Sequence, residues 1–131
     1  PSLHRNRDWM QDMPFEWDSS FPAWDPFQPQ PGGCRKYLPF NLNRHTWEFP
    51  VTLFQDFTLQ DELMEDDISI WLNQTAALIN HGLLICLIVH PDYFNDFWAE
   101  HYAKYITRIT EHYDSWITTP SEYCNWMDNR E

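Results

Sequence analysis

The stretch LLICLIVH, Leu83 to His90, decides how this chain is read. Seven apolar residues run unbroken into a histidine, and Pro91 and Asp92 follow. A run that is continuously apolar, rather than alternating, is the pattern of a strand covered on both faces, as in parallel sheets. Pro91 has no amide proton and a fixed φ, so the strand cannot continue through it. His90 is thereby set at the strand's C-terminal end, where the sites of parallel α/β folds lie.

Strong helical patterns flank this stretch. Upstream, Ile68, Trp71, Leu72, Thr75, Ala76 and Ile79 share one face of a helix that Asp67 caps and Gly82 stops. Downstream, Trp98, Tyr102, Tyr105, Ile106, Ile109 and Tyr113 line a second helix. Thr119 and Glu122 form a capping box around Pro120 for a last helix through Asn129. Further strands are expected in FEWD (Phe15–Asp18), TWEFPVTLF (Thr46–Phe54) and SWITT (Ser115–Thr119). Ser2 to Met13 predicts a short helix closed by Pro14, and Leu59 to Met64 another. Phe21 to Leu42 is too rich in proline for a helix and predicts a long loop held down by its aromatics. Strands alternating with helices predict the α/β class, a parallel sheet with covering helices and right-handed crossovers.

The totals exclude several functions. The chain has 131 residues, the size of one domain, with 43% hydrophobic and 18% aromatic residues. That load argues for a packed core and suits surfaces that hold sugar rings. A net charge of -12 argues against nucleic acid and against an anionic membrane surface. No apolar run is long enough for membrane insertion. The opening PSLHRNRDWM begins with neither Met nor an apolar leader, which suggests processing or, in preference, a truncated chain, and leaves the localisation open with the cytoplasm slightly favoured. Cys34, Cys86 and Cys124 are widely spaced without a CxxC pair, against a finger-type zinc site.

Three predicted strands end in titratable groups: Asp18, Asp56 and His90. A histidine in that position can act as acid or base. The plainer alternative is a ring satisfied by a backbone carbonyl. For Asp18 the alternative is an Asx turn with Ser19 and Ser20. Asp92 either caps a turn or joins the site. The remaining histidines show no metal spacing. NQT at Asn73 falls inside a helix and reads as a chance glycosylation match, and PQPGGC lacks the lysine of a phosphate loop.

Taken in order, PSLHRNRDWM, FEWDSSFPAWDPFQPQPGGC, WEFPVTLFQDFTL, LIVHPDYF and ITTPSEYCNWMDNR resemble the polysaccharide deacetylase family. The resemblance spans nearly the whole of residues 1–131. It implies a partial (β/α) barrel, the C-terminal half of an enzyme that hydrolyses acetyl groups from sugars with a divalent metal, often zinc. The family's metal ligands lie in an N-terminal half, in an Asp-Asp strand and a paired-His segment that this chain lacks. No metal is therefore expected to be held by this chain alone. His90 matches the acid that protonates the departing amine. Asp18, or alternatively Asp25, matches the loop carboxylate that hydrogen-bonds to that histidine. Leu87 and Val89 match the lining of the acetyl pocket, and Trp24 and Tyr93 complete the implied substrate contacts. Trp17 stands where the family has Tyr, Phe49 where it has Leu, and Val89 where a polar residue is common. The implied partners are an N-acetylated oligo- or polysaccharide and the missing N-terminal half, or else self-association through exposed strand edges. The alternative function is a non-catalytic carbohydrate-binding or structural remnant.

Overall fold

The computed structural model describes residues 14–27, 31–93 and 95–130. The expected helix over Ser2–Met13 lies outside them. Two compact units are present, Pro1–Thr52 with Ile117–Glu131, and Leu53–Trp116.

The first unit carries a small mixed sheet. Among the described residues it has three strands, β1 (Trp17–Asp18), β2 (Phe40–Asn41) and β3 (Trp47–Glu48), in the order β1-β3-β2. β1 and β3 run parallel, with Trp17 opposite Trp47 and Asp18 opposite Glu48. β2 and β3 are antiparallel. The local chemistry explains that hairpin: the Asn43 side chain accepts from the amides of both His45 and Thr46, each at 2.8 Å. The parallel path continues past Pro50, where Val51 donates to the Phe21 carbonyl and Ala23 to that of Val51. Phe21, Ala23, Phe49, Val51 and Cys124 form the buried apolar residues of this unit. Helix α3 (Pro120–Asp128) closes it, with the expected capping box in place. Tyr123 meets the edges of Trp47 and Phe49 at 5.8 and 5.3 Å.

The second unit is helical. Helix α1 (Ser69–Ile79) has Ile68 at its cap position, and Asp67 satisfies the first turn by accepting from the Ser69 amide at 2.7 Å. Helix α2 (Asp96–His112) is capped by Asn95. A π-helical turn spans Thr58–Glu62 and a 3-10 turn Pro91–Tyr93. Leu53, Leu59, Trp71, Leu78, Trp98 and Tyr105 make the core. The Trp71 indole N–H donates to the Phe54 carbonyl, and Thr75 and Tyr105 share a buried hydroxyl pair at 2.7 Å. Buried polar tips matched in this way let large aromatics fill a core without leaving a donor unsatisfied.

The class is α/β, but the small sheet is mixed and is not closed into a barrel. Leu83–Val89 corrects the opening expectation. It is half-buried along its length and belongs to no strand. Alternate residues Leu83, Ile85, Leu87 and Val89 pack on the helical core. A continuous apolar run becomes a parallel strand only beside neighbours that complete its ladder. Here the helical core takes one row of side chains. SWITT is likewise without strand structure, while Phe40–Asn41 pairs inside the segment expected to be loop.

Candidate functional site

The site is built where the apolar run ends. His90 keeps its side chain 42% exposed, and its Nδ1 lies 2.6 Å from Oδ1 of Asp56, whose side chain is fully buried. The His90 backbone amide donates to the other oxygen of the same carboxylate at 2.5 Å. The Phe57 amide donates to Oδ1 at 2.9 Å. A carboxylate only accepts, so Nδ1 carries the proton toward Asp56. That tautomer leaves Nε2 as the working nitrogen, and among the described residues nothing hydrogen-bonds to it. Two bonds from one carboxylate, one to the ring and one to its own backbone, hold the imidazole in a single orientation.

The surrounding elements are formed to suit. Asp56 sits two residues before the π-helical turn Thr58–Glu62, a geometry over-represented at functional sites. Pro91 starts the 3-10 turn, and the Tyr93 amide closes it on the His90 carbonyl at 3.0 Å. Tyr93 and Phe57 flank the imidazole, with ring centroids 5.9 and 6.4 Å away. The charge of Asp61 is the first cause that pushes the Tyr93 phenol above its ordinary range, followed by burial and a hydrogen bond to the same carboxylate.

The expected site residues divide between the units. His90 and Tyr93 come together in the second. Leu87 and Val89 precede them with side chains packed on the core cluster. The carboxylate that holds His90 in this unit is Asp56. Asp18 lies in the first unit and accepts from the Ser20 hydroxyl at 2.9 Å. Asp25 is buried there and accepts from the Phe27 amide at 2.9 Å. Trp24 is exposed in that same unit. The sequence shows Asp56 at a strand end, but nothing local links it to a histidine 34 positions away.

Among the described residues no group of three or more His, Cys, Asp or Glu side chains converges as a metal site requires. At the described site Asp56 and His90 stand as a pair of donors. What they can do is orient one imidazole and move one proton. Compared with models of protein families, with curated proteins and with solved structures, the chain matches none.

Proposed function

We propose that this chain supplies the proton-donating part of a hydrolase that removes acetyl groups from N-acetylated sugars of a polysaccharide. In this reading it is the C-terminal half of a (β/α)-barrel enzyme of the polysaccharide deacetylase type, completed by an N-terminal half. The observation that carries it is the Asp56–His90 pair: a buried carboxylate orienting a half-exposed imidazole whose Nε2 is uncommitted.

Amide hydrolysis needs a proton on the departing amine, because an amide anion is a poor leaving group. In its doubly protonated form His90 gives the Nε2 proton to the departing amine and is left as the Nδ1–H tautomer that Asp56 holds and aims, and Tyr93 and Phe57 limit the swing of the ring. Activation of the attacking water is not assigned to these residues.

The test is acetate release from an N-acetylated oligosaccharide by the completed enzyme. His90→Ala is expected to lower turnover by about 10²–10⁴-fold with the fold retained. Asp56→Asn is expected to lower kcat more than it raises KM. Turnover by the His90→Ala protein close to wild type sinks the assignment.

A second reading, a carbohydrate-binding module without catalysis, is favoured by one observation. Trp24 and Tyr37 stand exposed beside an open cavity of about 320 Å³ in the first unit.

A further inference from the structure

The cavity in the first unit is lined, among the described residues, by Trp24, Arg35 and Tyr37. Its aromatic walls are exposed by 42% and 37%, although this unit has a core in which to bury such rings. The backbone accounts for their position. Phe21, Ala23 and Asp25 alternate inward, so Trp24 projects outward. Asp25 and Gly32 exchange amide bonds of 2.8 and 3.0 Å, Cys34 donates to the Pro22 carbonyl, and Arg35 donates to that of Ala23. Gly33 makes the close approach possible, since a side chain there would meet the Ala23 carbonyl oxygen at 2.4 Å. The two segments are thereby locked side by side, with Trp24 and Arg35 on one face.

Arg35 is the informative residue. Its φ of 56° lies in the left-handed region, which favours glycine and disfavours a long side chain. Its guanidinium sits 5.3 Å from the centre of the Trp24 ring. At that distance the ring face attracts the cation and holds the guanidinium beside the indole. Among the described residues no carboxylate lies within ion-pair distance of Arg35 or of its neighbour Lys36. Lys36 is likewise held over a ring, 4.7 Å from the centre of Phe40.

We infer that Trp24, Arg35 and Tyr37 form a binding site for a sugar residue that bears an anionic group, a carboxylate or a sulfate. The proposal rests on the carbohydrate reading above and adds the class of sugar. The rings take the apolar face of a pyranose. The Arg35 fork takes the anion through paired N–H bonds, and Lys36 adds charge nearby. An open cavity of this volume fits one sugar unit of a longer polymer rather than an enclosed small molecule. The strain at Arg35 then has a cause, since it points a pre-set cation at the ligand.

The experiment is calorimetric titration of the full chain with four probes. They are an oligosaccharide alternating uronic acid with N-acetylhexosamine, a sulfated oligosaccharide, a neutral N-acetylhexosamine oligomer of equal length, and inorganic sulfate. One or both acidic oligosaccharides are expected to bind at least about tenfold tighter than the neutral one, and which of them does so identifies the anion. Arg35→Gln and Trp24→Ala should each weaken that binding by about tenfold or more. Arg35→Gly should weaken it equally while melting no lower than wild type, because glycine is at ease at this φ. Equal affinity for the neutral oligomer, equal competition by inorganic sulfate, unchanged binding by Arg35→Gln, or a marked fall in the melting temperature of Arg35→Gly would each overturn the proposal. Acetate release, measured separately on the completed enzyme, reports on the His90 assignment alone. Acidic-sugar binding by this chain with no release by the completed enzyme supports this site and counts against the deacetylase reading.

Discussion

Glu48 shows what a single residue can hide. It is fully buried on β3, directly opposite Asp18 of β1. One oxygen accepts from the Phe21 amide at 3.0 Å. Among the described residues no donor from the rest of the protein reaches its other oxygen or the buried Oδ2 of Asp18. Burial pushes Glu48 up to about 8; the Phe21 amide pulls back, and Asp18 raises it further through hydrogen bonding and charge. At neutral pH Glu48 is therefore a neutral acid, and its proton is the donor the pair lacks. The sign of the linkage follows. Below the ordinary value of 4.5 the acid is protonated whether the chain is folded or not, and its contribution to stability is complete. As pH rises toward 8, the unfolded chain releases the proton and the folded one retains it, so that contribution is lost. Melting temperatures from pH 4.5 to 8 should fall in the wild type and fall less steeply in Glu48→Gln, whose amide supplies a permanent donor. Parallel curves would refute the assignment. Asp18 stood out in the sequence as a strand-end carboxylate and Glu48 did not. Their pairing depends on a parallel register between residues 30 positions apart, which no local pattern encodes.

Individual elements were legible in proportion to how local their determinants are. Helix α3 depends on Thr119, Pro120 and Glu122 within its first turn, and all three act as the pattern requires. The Thr119 hydroxyl accepts from the Glu122 amide, and the Glu122 carboxylate accepts from the Thr119 amide at 2.8 Å. The Thr119 amide first, then the Thr119 and Thr118 hydroxyls that also donate to it, hold the Glu122 carboxyl below its ordinary range. Thr119→Ala should cost about 1 kcal/mol in denaturant unfolding. Thr119→Ser should recover most of it, and an alanine variant as stable as wild type would show the cap to be idle. Leu83–Val89 is the opposite case. Its apolar pattern is correct, yet a strand is a property of at least two segments, and the pattern names only one. The side chains found a helical core instead. His90 illustrates both limits, since its position at the end of the run was readable and its partner Asp56 was not.

At the scale of the whole molecule, the charge balance is the property read most directly from the sequence. An excess of 12 negative charges opposes compaction through mutual repulsion. The described ion pairs that could offset it are few, with Lys104–Glu100 an exposed pair one turn apart on α2 and His90–Asp56 at the site. An exposed pair of the first kind contributes little. The α/β class read from the sequence holds, but the alternation does not: the three described strands precede helices α1 to α3 in the chain. Closure into a barrel depends on ladder partners, and the described strands are each two residues long. Repulsion is long-range and screened by salt, with a Debye length of about 10 Å at 0.1 M. Raising sodium chloride from about 10 mM to about 0.3 M at neutral pH should therefore raise the melting temperature. Chloride is the informative choice, because sulfate stabilises folded chains through surface exclusion whatever their charge. A melting temperature that stays flat or falls over this range would mean that attractive pairs, not repulsion, dominate the electrostatics of the fold.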